Sequence, residues 1–242
     1  MTAARPDDSL GGRAGTPDEA TQPDAPTLAE DLLLLLFQPD SGTIAGENTL
    51  FYILAGAVVA DLALGDHVTT ADRGRVRAVE GHAPPDDLLR SAWDYVSTKP
   101  RGVQTVLAAI GPTLRAPLLA RLIARGDIDR GDRKVLGLFR TTTLREGRSG
   151  RRAALLGEVR RVLVDGAEPR ARVAALAALL SASGTLPQFH RDIPWTSPVI
   201  NRAKELERGN WGAGAAGEAV TRTMTAVIVN SVVVATTVLP RS

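Results

Sequence analysis

Seven arginines crowd the stretch from Arg140 to Arg161 (Arg140, Arg145, Arg148, Arg151, Arg152, Arg160 and Arg161), with Glu146 and Glu158 the acids among them. Such a density of cations attracts phosphate. A short hairpin beside a helix would suit a winged-helix-like nucleic-acid binder. Base recognition would gain from interleaved aromatics or a reading motif, and this segment has neither. A solvated helix face in an arginine-rich chain is the simpler reading, and nucleic acid is not the expected partner. A second group is Val135, Leu136, Leu138 and Phe139, bracketed by Arg133, Lys134 and Arg140. Apolar residues flanked by cations suit insertion at an anionic lipid surface or burial against a partner, and packing onto the protein's own core is the alternative.

Catalytic and metal chemistry find no comparable support. His67, His82 and His190 are far apart and fall in no H-x-x-x-H or H-E-x-x-H pattern, and the chain has no cysteine. That excludes thiolate zinc sites, disulfides and cysteine nucleophiles. There is no G-x-S-x-G elbow and no P-loop. The glycines of Gly209–Gly217 follow a charged helix, whereas a dinucleotide fingerprint opens a helix after a strand. Asp86 and Asp87 stand at a helix start, where the macrodipole favours carboxylates. The chain therefore reads as non-enzymatic, with no cofactor and no metal.

Helices dominate the elements that must position these residues. Thr27 and Glu30 have the spacing of a capping box, followed by five consecutive leucines, Phe37 and the stop signals Pro39 and Gly42. A helix apolar on nearly every side has to be surrounded by protein. Asn48–Leu64 reads as a second apolar helix, with Gly56 able to admit a close neighbour. His67–Thr70 and Arg75–Val79 read as a hairpin. Further helices are expected from Pro84 to Tyr95, over Val103–Ile110 and over Leu114–Arg125, with Gly126 as the C′ residue. Ile128 and Val135–Thr143 read as a second hairpin turning around Asp129–Arg133. Arg151–Val164, Pro169–Ser181 and Val199–Glu207 carry helical stripes. Gly217–Leu239 is rich in β-branched residues, but its length without turn signals favours a buried helix. The expectation is a mainly α fold of eight to ten helices and one or two short β-hairpins in a single compact domain.

Residues 1–26 are rich in Pro, Gly, Asp, Ala and Thr and are expected to form a disordered tail ahead of a domain at 27–242. They lack the apolar core of a secretory signal. The absence of cysteine suits a reducing, cytoplasmic compartment. Ala226–Leu239 is too short and too interrupted to span a bilayer. The net charge is +2. The tail's two arginines and five acids contribute −3, leaving about +5 on the domain, which admits an acidic partner.

Several strings, in order, resemble the Golgi phosphoprotein 3-like family: TLAEDLLLLLF with DSG after it, LAGAVVADLALGDHV, LLARLIARGDID, LGLFRTTT and INRAKELE. Together they cover Thr27 to about Leu239. The resemblance implies a central hydrophobic helical bundle wrapped by amphipathic helices, with a projecting β-hairpin at about Ile128–Thr143 that contacts membrane or a second subunit. It implies a peripheral, non-enzymatic adaptor that binds phosphatidylinositol 4-phosphate and, in eukaryotic relatives, retains glycosyltransferases. The family's headgroup tryptophan falls near Gly46, its helix arginine at Ala55, and one of a further arginine pair at Pro112. Arg115 alone is kept. Arg115 is thus the expected headgroup contact, with a looser anionic-lipid preference.

Overall fold

Thr27 caps the first helix as its spacing predicts. In the computed structural model, which describes residues 25–135, 139–211 and 218–238, the Thr27 N–H and hydroxyl each donate to Glu30 Oε2 at 2.8 Å. The Glu30 N–H donates back to Thr27 Oγ1 at 3.2 Å. Helix α1 (Leu28–Leu36) follows, and every one of its residues is buried. Phe37 then turns extended, and β1 (Phe37–Gln38) pairs antiparallel with β2 (Thr43–Ile44).

Helix α2 (Leu50–Leu64) is likewise apolar all round, and α7 (Ala171–Ala182) buries most of its length. These two pack against α1 and against each other, and α9 (Glu218–Val238) lies against both α2 and α7. Around this centre run helices buried on one stripe only. They are α3 (Asp87–Ser97), α5 (Arg115–Ala124), α6 (Arg151–Leu163) and α8 (Ser197–Glu207). The short α4 (Val103–Ile110) bridges α2 and α9. The chain is therefore mainly α, nine helices among the described residues, with the largely apolar ones inside and the striped ones outside. The expected tail at 1–26 lies almost wholly outside the described residues.

Length prevails over propensity in α9. Its β-branched residues form a helix because Thr223, Met224, Val227 and Ile228 fill the core, while polar partners fix its register. The hydroxyls of Thr223 and Thr70 lie 2.7 Å apart, and Gln104 Nε2 donates to the Asn230 carbonyl at 2.7 Å.

The first hairpin forms where expected, β3 (Val68–Ala71) against β4 (Arg75–Ala78), and gains a third strand, β5 (Arg101–Gly102). The second needs correction. Its strands are β6 (Ile128–Val135) and β7 (Phe139–Glu146), paired from Ile128↔Glu146 to Val135↔Phe139. Asp129–Arg133, read as the turn, lie within β6, and Val135–Thr143, read as one strand, takes in the last residue of β6 and the start of β7, with 136–138 outside the described residues. Gly131 and Asp132 are poor strand formers alone, but they pair with Thr143 and Thr142 in a continuous ladder, and cross-strand context outweighs propensity.

A close backbone approach binds one outer turn to the core. A Cβ on Gly111 would stand 2.5 Å from the Phe51 carbonyl oxygen, so the turn entering α5 sits directly on α2. Leu34, with no exposed surface, is enclosed on all sides. Leu34→Ala is expected to lower stability by about 2–5 kcal/mol in urea unfolding, from lost burial plus an unfilled cavity. Gly111→Ala is expected to be destabilising as well, despite adding a single methyl.

Candidate functional site

The loop between α1 and α2 is the junction of the surface that the sequence singles out. Gly42 adopts a left-handed φ of +70°, and a Cβ there would lie 2.7 Å from the Leu144 carbonyl oxygen, so the β1–β2 turn rests on β7. Gly46, at φ +71°, sits with its would-be Cβ 3.0 Å from Thr185 Cγ2. Next to it, Glu47 Oε1 accepts from Arg115 Nη2 at 2.8 Å, at the first residue of α5. Both side chains are about half exposed, 48% for Arg115 and 53% for Glu47. Exposed pairs of this kind contribute about 0–1 kcal/mol and exchange readily.

The other positions aligned with a headgroup pocket offer no cation at this surface. Ala55 is wholly buried in α2, and Pro112 is exposed and apolar. Gly46 could not take a tryptophan without strain, because its left-handed backbone disfavours any side chain. Among the hairpin residues, Arg133, Lys134, Val135, Phe139 and Arg140 belong to the paired strands, with Lys134 opposite Arg140 and Val135 opposite Phe139. Their side chains, and Leu136 and Leu138 entirely, lie outside the described residues.

Most of the conspicuous arginines have a different task. The start of α1 gathers Glu30, Asp31 and, from the last turn of α2, Asp61, whose Oδ2 accepts the Leu28 N–H at 2.7 Å. Arg172 of α7 bridges Asp61 at 3.1 Å and Asp31 at 2.7 Å, and also donates to the Pro26 carbonyl at 2.6 Å. Arg151 of α6 joins Asp31 to Asp127, the latter at 2.5 Å. Arg125 reaches Glu30 at 3.0 Å, while Arg121 meets Asp86 at 2.6 Å and also Asp87. A helix start favours nearby carboxylates, and arginine forks can satisfy several at once. Asp86 serves additionally as the cap of α3, accepting from Leu88 and Leu89.

Two arginines of the basic segment, Arg151 and Arg152, are engaged within the fold, while Arg160 and Arg161 make exposed pairs. Arg151 pairs as above, Arg152 Nε donates to the Phe37 carbonyl at 3.1 Å, Arg160 pairs with Asp165, and Arg161 with Glu158. The sequence reading missed this ionic cluster. The signal was Asp61 inside LAGAVVADLAL, because a carboxylate in a helix apolar all round demands a buried partner.

Elsewhere, a cleft of about 770 Å³ opens between β3–β4, α3 and the side of α9, with Arg77, Lys99, Asp66 and Glu80 among its lining residues. It carries both signs of charge. The His67 ring bonds the His82 carbonyl at 2.7 Å, and no group of three potential metal ligands occurs among the described residues. No single described helix is long and apolar enough to cross a membrane.

Two results follow from this division of the arginines. Arg151→Met leaves Asp31 and Asp127 facing each other with one cation fewer, and is expected to cost about 3–5 kcal/mol in urea unfolding. Arg115→Ala should change stability by less than about 1 kcal/mol. The second result concerns pH. Burial pushes the Asp61 carboxyl above its ordinary 3.8, with Arg172 and the Leu28 N–H only partly opposing it. The native state thus holds this proton to higher pH than the unfolded chain. The contribution is full below the ordinary value and is lost as pH rises through the native one. Asp61→Asn lacks that loss, so its stability relative to the unaltered chain should improve as pH rises from the ordinary carboxylate value toward neutrality. A difference independent of pH, in urea unfolding across that range, would contradict the assignment.

A comparison with curated proteins finds no match to this chain. The family model described as Golgi phosphoprotein 3 (GPP34) matches residues 28–223, which is most of the chain. The match begins at the capped leucine helix and ends inside α9, so it spans the central bundle, the ionic cluster and the Arg115 surface together. The chain belongs to the Golgi phosphoprotein 3 family.

Proposed function

We propose that this protein is a non-enzymatic, peripheral membrane-associating adaptor that binds anionic lipid through the surface around Arg115. The observation that carries the reading is the exposed Arg115–Glu47 pair beside the loop joining α1 and α2. A lipid phosphate can take the place of the Glu47 carboxylate at small cost, because the pair is solvated on both sides. Arg115 also stands at the start of α5, which has no side-chain cap, so the helix dipole favours an anion there. Family membership supports the same direction.

The recognition is for negative charge rather than for one headgroup. Selective binding of a phosphate monoester needs converging cations or donors to offset its desolvation. Gly46, Ala55 and Pro112 supply no side chain able to do so. The hairpin β6–β7, whose ladder ends at the Val135–Phe139 pair with Leu136 and Leu138 between them in sequence, is the accompanying contact to bilayer or to a second copy. The protein cargo of the adaptor is a membrane enzyme or another protein at the cytoplasmic face.

Co-sedimentation with vesicles tests this reading. Binding is expected to neutral vesicles doped with phosphatidylglycerol, and to phosphatidylinositol 4-phosphate vesicles of equal charge with similar affinity, falling as salt rises. Arg115→Ala should weaken it about fivefold, the effect of removing one cation at a charged surface. Failure to sediment with any anionic vesicle at low salt would reject lipid binding and favour a protein-interaction module. Binding selective for phosphatidylinositol 4-phosphate that survives Arg115→Ala would reject the site.

A further inference from the structure

Large apolar side chains are almost all inside this fold, and among the described residues only Trp195, 47% exposed, and Val229 stand out. Trp195 is held out by rigid neighbours. Phe189, Ile193 and Val199, before and after it, are buried. The backbone between them is fixed by bonds from the Asp192 and Ile193 N–H groups to the Phe189 carbonyl, and from Thr196 to Pro194. The other two tryptophans give their indole N–H to the fold, Trp93 to the His67 carbonyl and Trp211 to that of Leu206. No such partner for Trp195 is found among the described residues. An indole with an apolar body and an unused donor suits the boundary between lipid headgroups and acyl chains.

The position of Trp195 relative to Arg115 follows from contacts of the α1–α2 loop. Arg191 Nη1, four residues before Trp195, faces Asp40 at 3.7 Å, with both side chains strongly exposed. The same loop touches Thr185 through Gly46 and Arg115 through Glu47. The loop therefore adjoins the 185–195 segment on one side and the start of α5 on the other. Each side offers an arginine in an open, exchangeable pair, and Trp195 supplies the apolar element. Val229 has no comparable setting.

We propose that Trp195 is an interfacial anchor, its indole entering the headgroup–acyl boundary of an anionic bilayer while Arg191 takes lipid phosphate. This rests on the membrane-association reading and extends it to a second, apolar contact. The probe is the full chain with vesicles of phosphatidylcholine and phosphatidylglycerol, followed by tryptophan emission and, separately, by co-sedimentation. The expected result is a blue shift on vesicle addition, quenching by lipids brominated near the top of the acyl chain, and loss of both in Trp195→Phe. Trp195→Ala should weaken sedimentation about tenfold, a fraction of the value of burying an aromatic ring, while Trp195→Phe retains most of it. Folding of each variant is checked by far-ultraviolet circular dichroism. Undiminished sedimentation of Trp195→Ala, with no blue shift in the unaltered chain, would overturn the anchor and leave the Arg115 reading intact. Absence of sedimentation by the unaltered chain would overturn both.

Discussion

A helix buried on every side has to begin somewhere, and its first turn carries backbone donors that water would otherwise satisfy. In this protein that start is α1, and the rest of the structure is arranged around it. Thr27 and Glu30 close the capping box, Asp61 accepts the Leu28 N–H from inside α2, and Arg172, Arg151 and Arg125 neutralise the carboxylates gathered there. Arg172 comes from α7, Arg151 from the start of α6 and Arg125 from the residue that ends α5, so the cluster ties these three helices to α1 and α2. A buried ionic cluster of this type is weak evidence for stability in itself, but removing one member leaves a charge without its counterpart. It specifies which helices meet at this end of the bundle.

That arrangement sorts the arginines of a strongly arginine-rich chain. Arg151 and Arg172 make their pairs with acids that are almost fully buried, and they are parts of the frame. Arg115 and Arg191 face exposed acids of the α1–α2 loop and are parts of a surface. Counting arginines along the sequence draws the eye to Arg140–Arg161, where Arg151 and Arg152 are already held within the fold. The functional candidates are instead two isolated residues far apart in sequence, each facing an acid of the loop between α1 and α2.

Much of this fold could be read before its structure. The apolar helices α1 and α2, the striped helices around them and the helical state of α9 follow from periodicity, length and capping residues. The hairpin β6–β7 was placed correctly but its turn was not, because Gly131 and Asp132 carry turn propensity that the ladder opposite Thr142 and Thr143 overrides. The strand β5 was missed because Arg101 and Gly102 pair with β4 across a helix and carry no local strand signal. Arg115 could be singled out only by resemblance. Its partner Glu47 is 68 residues away, and long-range ion pairs leave no periodic trace. Trp195 and Arg191 became candidates only when burial separated them from the other aromatic and basic residues.

Lipid bound as proposed meets the side of the molecule built from the α1–α2 loop, the start of α5 and the 185–195 segment. Hydrogen exchange of the full chain with and without anionic vesicles tests this most directly. Slowed exchange is predicted over 39–49, 111–117 and 186–196, with α1 and α2 unchanged because they are already enclosed. Protection confined to the cleft lined by Arg77, Glu80 and Lys99, or absent from the α1–α2 loop while the protein is vesicle-bound, would contradict it.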